Sequence, residues 1–120
     1  NDAICFTPKH IAGVDSICLD TQSKSLIINQ DKKDLTATEY RLAYAFFSRP
    51  KQVFSKQVLL DKISDSSEDK EPNIIEVYIR RLRGYLGKEA ILTQRGQGYR
   101  LTLGDDVVTQ ESAQPTKAND

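Results

Sequence analysis

Residues 73–86, N-I-I-E-V-Y-I-R-R-L-R-G-Y-L, constrain this chain more than any other stretch, because they impose two unlike faces on one helix. Ile75, Ile79, Leu82 and Leu86 recur at intervals of four, three and four, which makes one apolar stripe that demands a core. The opposite face carries Ile74, Val77 and Arg81 with Arg80, Gly84 and Asn73, so aliphatics stand beside guanidinium groups. A helix clamped on one side and mixed apolar and cationic on the other suits a DNA major groove. There, arginine bonds guanine edges bidentately and small apolar groups touch thymine methyls. The segment reads as a recognition helix. The plain alternative is a solvated outer face, since single exposed aliphatics are normal and arginines keep such faces wet.

The charge balance favours the first reading only when it is taken locally. Lys and Arg together number 17, as do Asp and Glu, so the 120 residues are neutral overall. Between residues 73 and 100, however, Arg80, Arg81, Arg83, Lys88, Arg95 and Arg100 face only Glu76 and Glu89. The acids gather elsewhere, in 65–71 and in 104–120. A local positive field meets phosphates whatever the total.

The chain is one domain's worth, large enough for a core without metal or disulfide. No apolar run approaches the length of a membrane span, and no charged-then-apolar leader opens it, so a cytoplasmic protein without membrane contact is expected. The absence of any methionine suggests a segment of a longer polypeptide. Cys5 and Cys18 lie in the two earliest strand-like runs. With His10 the only histidine they make no zinc set, and they are expected as buried packing thiols of a reducing compartment. No cofactor is expected, and no enzyme: no glycine-rich phosphate loop follows a strand, and Asp105-Asp106 is a solvated charge pair.

Read in order, residues 1–35 alternate in short runs over 4–7, 16–20 and 24–29, with a fourth strand expected at 33–35 after a polar turn at 30–34. Thr36-Ala37-Thr38-Glu39 is a capping box, predicting a helix that ends near Ser48 because Pro50 disfavours helical geometry in Arg49. Ser55 caps a second helix to about Ser64, with Val58, Leu59 and Ile63 expected inward. Residues 65–72 read as an acidic surface loop ending at Pro72, which suits the first turn of the third helix. Gly87 stops that helix, and 90–103 reads as a hairpin around the basic tip Arg95-Gly96-Gln97-Gly98. From Gly104 onward the apolar content is too low for ordering, and a disordered tail over 104–120 is expected.

A small antiparallel sheet, three helices and a terminal hairpin together describe an α+β winged helix-turn-helix. Four segments resemble, in order and spacing, the OmpR/PhoB-type effector domain of bacterial two-component response regulators. They are Leu35-Thr36-Ala37-Thr38-Glu39-Tyr40, Phe54-Ser55-Lys56-Gln57-Val58-Leu59-Leu60, Val77-Tyr78-Ile79-Arg80-Arg81-Leu82-Arg83 with Leu86-Gly87, and Thr93-Gln94-Arg95-Gly96-Gln97-Gly98-Tyr99-Arg100. The resemblance implies a DNA-binding domain over 16–103, preceded by a linker and first strand over 1–15. It implies base contacts by Arg81, Val77 and Ile74 in the major groove and by Arg95 of the wing in the minor groove. Asn73, Tyr78, Arg80, Arg83, Thr93 and Tyr99 match positions that face the DNA backbone. Asn73 and Ile74 depart from the arginine and threonine frequent in the family, Ser64 from a tryptophan and Gly84 from a lysine, which shifts the expected operator and leaves the fold unaffected.

The implied partners are double-stranded promoter DNA, read as direct repeats by a head-to-tail tandem dimer, and RNA polymerase, which the family contacts at the position of the acidic loop with Asp65, Glu68, Asp69 and Glu71. From its residues alone that loop is ordinary polar surface. Two other readings stay open: a winged-helix module that binds protein, and the cytoplasmic DNA-binding domain of a membrane-anchored regulator.

Overall fold

Alternation of period two builds the N-terminal sheet of the computed structural model, which describes residues 3–64 and 73–105. Strands β1 (Ala3–Phe6), β2 (Ile17–Asp20), β3 (Ser25–Ile28) and β4 (Asp31–Asp34) pair antiparallel in chain order. Ile17, Leu19 and Leu26 point inward and are fully buried, while Phe6 sets its ring edge-on to Phe47 with centroids 5.5 Å apart. The same alternation turns Cys5 and Cys18 outward, and the register places them directly opposite each other. The expectation of buried free thiols is therefore corrected: Cys5 and Cys18 are joined in a disulfide on the outer face of the sheet.

The β3–β4 connection also differs from expectation. The turn is the two-residue pair Asn29-Gln30, both with positive φ (51° and 74°), as short hairpins require. Residues 31–34 are thus strand and not turn. The expected fourth strand is present but begins two residues earlier than 33–35, its start obscured because all four side chains of β4, Asp-Lys-Lys-Asp, are exposed on the sheet's edge, where charge discourages further pairing. Asn29 then holds the preceding loop, its Oδ1 accepting the Asp15 N–H at 2.6 Å and its Nδ2 donating to the Gly13 carbonyl at 2.8 Å.

Helix α1 (Ala37–Ser48) starts where the capping box puts it: Thr36 Oγ1 accepts the Glu39 N–H at 3.2 Å, and Glu39 Oε1 accepts the Thr36 N–H at 3.0 Å. It buries Leu42, Ala43, Ala45, Phe46 and Phe47. Helix α2 (Lys56–Ile63) is capped by the Ser55 hydroxyl, which accepts the Val58 N–H. It buries Leu59 and Ile63, whereas Val58, expected inward, lies about 100° round the helix from Leu59 and is exposed. Helix α3 (Ile74–Leu86) buries the predicted stripe of Ile75, Ile79, Leu82 and Leu86 and ends at Gly87, whose φ of 114° an L side chain rarely adopts. Each of those four side chains contributes roughly 1.5–3 kcal/mol by leaving water.

After a 3₁₀ turn (Lys88–Ala90), a second sheet forms from β5 (Val53–Phe54), β6 (Ile91–Gln94) and β7 (Gly98–Leu101), in the order β5-β7-β6. β5 was not anticipated. Two residues are too few to show a period, and the strand exists only because Val53 and Phe54 meet Arg100 and Tyr99 from the far end of the domain. Phe54 fills the junction, edge-on to Phe46 at 5.6 Å. The expected tail does not begin at Gly104: that residue is buried where Pro50 and Phe6 crowd it, and Asp105 binds Arg100 at 2.9 Å. The acidic loop 65–71, Pro72 and residues 106–120 lie outside the described residues.

Candidate nucleic-acid interface

Because α3 is anchored by its stripe, its other residues have fixed bearings. Val77, on the side opposite Ile79, is 41% exposed, and Asn73, Arg80, Arg81 and Gly84 are exposed with it. Ile74 and Tyr78 are half-buried at the border of the core. A Cβ on Gly84 would meet nothing within 4 Å, so the helix surface there is open and low.

The wing carries Arg95 and Gly96 at its exposed tip. Gly98 has φ of 142°, and a Cβ there would lie 1.9 Å from the Phe54 carbonyl oxygen, so only glycine allows β7 to pass so close to β5. Between the wing, the start of α2 and the first turn of α3 runs an open cleft of about 510 Å³, lined among others by Ser55, Lys56, Glu76, Thr93, Arg95 and Tyr99. Arg95 therefore stands across a groove from the first turn of α3. Tyr99 lines the same cleft but is only 7% exposed, its ring belonging to the core.

Four cations are already engaged. Arg83 donates to the Ile91 carbonyl from Nε at 3.0 Å and from Nη2 at 2.6 Å, and from Nη2 to Thr93 Oγ1 at 2.8 Å. It ties α3 to β6 and fixes the wing's position. Lys56 and Glu76 pair across the cleft floor, which holds the Glu76 carboxyl below its usual range and raises the Lys56 ammonium, each mainly through their shared hydrogen bond. Arg100 is held by Asp105. Arg81 reaches Glu39 of α1 at 3.5 Å and lies over the Tyr78 ring, 5.0 Å from its centroid. Arg80 and Arg95 are exposed and form no ion pair among the described residues.

The structure thus gathers Ile74, Val77, Arg80 and Arg81 on the outer and flanking surface of α3 and sets Thr93, Arg95 and Tyr99 beside its first turn. It also brings in Lys56, Glu76 and Glu39, which the sequence did not single out for the site. Their only local signals were the Ser55 cap and the capping box, and their partners lie far along the chain.

Comparison with known proteins agrees with this geometry. Residues 30–101 match the family model described as transcriptional regulatory protein, C terminal. The response regulator ArlR of Staphylococcus haemolyticus is 35% identical over 95 residues, covering 76% of this chain and 43% of ArlR, so the chain spans less than half of that relative. The DNA-binding domain of response regulator AdeR, solved in complex with an intercistronic region, superimposes with a TM-score of 0.63 at 27% identity, over 71% of this chain and 92% of that domain. The Klebsiella pneumoniae RstA DNA-binding domain, at 20% identity and a TM-score of 0.62 over 77% of this chain and 96% of that one, shares the fold. With its fold, its ordered motifs and its family match in agreement, the chain belongs to the C-terminal transcriptional regulatory family, the winged helix-turn-helix output module of OmpR/PhoB-type response regulators.

Proposed function

We propose that this chain binds double-stranded DNA in a sequence-specific manner to regulate transcription, with α3 in a major groove and the wing in the adjacent minor groove. The observation that carries the reading is the buried stripe of α3 presenting Val77, Arg80 and Arg81 outward beside a wing whose tip is Arg95. The AdeR complex with an intercistronic region supports it. In this reading Arg81, Val77 and Ile74 contact bases and Arg95 enters the minor groove. Asn73, Tyr78, Arg80, Thr93 and the small exposed part of Tyr99 face the backbone. Arg83 reaches a phosphate while braced against β6. The receiver that controls the module lies elsewhere in a longer polypeptide, in the cytoplasm, and two modules bind direct repeats head to tail. A contact to RNA polymerase through the acidic loop 65–71 completes the proposal.

Selection of binding sites from random duplexes tests it. One enriched sequence, as a direct repeat, is the expected result. Arg81→Ala then loses roughly 1–3 kcal/mol on that site and relaxes specificity, whereas Arg80→Ala weakens all sequences alike and flattens the salt dependence by about one phosphate contact. No enrichment at low salt, or a salt-independent affinity, would instead indicate a winged helix that binds protein.

A further inference from the structure

Glu39 serves two partners from one buried position. Its side chain is 5% exposed: Oε1 completes the capping box with the Thr36 N–H, and Oε2 faces Nη1 of Arg81. Arg81 is itself 52% exposed, with its guanidinium over the Tyr78 ring. One nitrogen of the fork therefore lies in ion-pair reach of a buried carboxylate that the capping box holds in place, and one face rests on a half-buried aromatic three residues back on the same helix. A guanidinium offers five N–H donors in a rigid plane. Engaging one nitrogen and one face leaves donors for a ligand while fixing the direction in which they point.

We propose that Glu39 is a specificity-determining positioning residue, which presets the Arg81 fork for bidentate contact with a guanine edge. The inference rests on Arg81 reading bases, as proposed above. An arginine anchored in this way loses less conformational freedom on binding than one that samples many rotamers. The carboxylate behind it also offsets part of its charge, so that passing phosphates gain less from it than a correctly placed guanine does. Removing the carboxylate acts on both sides of the comparison: the preferred site loses a preset fork, and unrelated DNA gains a freed cation.

Glu39→Gln separates charge from capping, since glutamine also completes a capping box. The probes are the duplex this chain enriches from random DNA and its scrambled counterpart. In Glu39→Gln the ratio of the two affinities falls about tenfold, with binding to scrambled DNA unchanged or tighter. In an Arg81→Ala background the same substitution changes the ratio by less than about twofold. Thr36→Ala, which breaks the other half of the capping box, lowers the melting temperature and leaves the ratio alone. An unchanged ratio in Glu39→Gln, or an equal fall in the Arg81→Ala background, overturns the proposal. A wild-type ratio in Arg81→Ala alone overturns the base-reading role, so the two failures are distinguishable. If Glu39→Gln does not fold, the side-chain Nε–Hε order parameter of Arg81 in the unaltered chain decides. Backbone-like rigidity supports preset orientation, and free surface mobility refutes it.

Discussion

Gly98→Ala tests whether the wing's register depends on a missing side chain. The added Cβ would fall 1.9 Å from the Phe54 carbonyl oxygen, 2.6 Å from its carbon and 2.8 Å from the Ser55 Cα, all backbone atoms that no rotamer change can move. Relief requires β5 and β7 to part, and with them the pairings of Val53 with Arg100 and Phe54 with Tyr99. The φ of 142° adds backbone strain of its own. Strain of ~1–3 kcal/mol, loss of ladder bonds at ~0.5–1.5 kcal/mol each and partial exposure of Phe54 combine to about 4 kcal/mol. That is a large share of the ~5–15 kcal/mol that holds a typical domain together. Gly96→Ala is the control: φ is 78° but nothing lies within 4 Å of the new Cβ, so the cost is about 1 kcal/mol. Urea unfolding followed by far-UV circular dichroism measures both. A Gly98→Ala protein within about 1 kcal/mol of the wild type, or no less stable than Gly96→Ala, would show that close passage of β7 over β5 is not what sets the wing.

The remaining predictions concern sites whose partners the structure names. Reducing the Cys5–Cys18 bridge, which closes a 13-residue separation, lowers stability by about 2–3 kcal/mol, measured as the difference in urea midpoint with and without reductant. Gly84→Ala stabilises α3 by roughly 1 kcal/mol, since the new methyl meets nothing and alanine is the better helix former. A simultaneous fall in DNA affinity would place the duplex against that turn, and unchanged affinity would place it elsewhere. Lys56→Gln lets the Glu76 carboxyl rise toward its ordinary pKa, read from its carboxyl carbon shift during a pH titration. Because the folded pKa is depressed, the pair's stabilising effect is present above the ordinary carboxylate pKa and fades as pH falls through the folded value. A Glu76 titration unaltered in Lys56→Gln would refute the assignment of that shift to Lys56.

Elements whose cause is local were legible in the sequence. The capping box at Thr36 and Glu39 and the serine cap at Ser55 act within one turn, so α1 and α2 start where they were expected. The spacing of Ile75, Ile79, Leu82 and Leu86 selects one face of α3 regardless of what covers it. The sequence alone therefore determined the winged-helix plan and which side of α3 turns outward. Tertiary structure decided what locality cannot encode. β5 forms only against β7, β4 is a strand of charges held by its neighbour's register, and Cys5 meets Cys18 because both point away from the core. It also decided how the cations are used. Arg83 braces the wing, Lys56 pairs with Glu76, and Arg81 leans on a carboxylate of another helix, while Arg80 and Arg95 point to solvent. Charge in a sequence records only that a guanidinium exists. Its direction follows from the packing of elements distant in the chain, because a long flexible side chain takes its bearing from whichever carboxylate, carbonyl or ring the fold brings within reach.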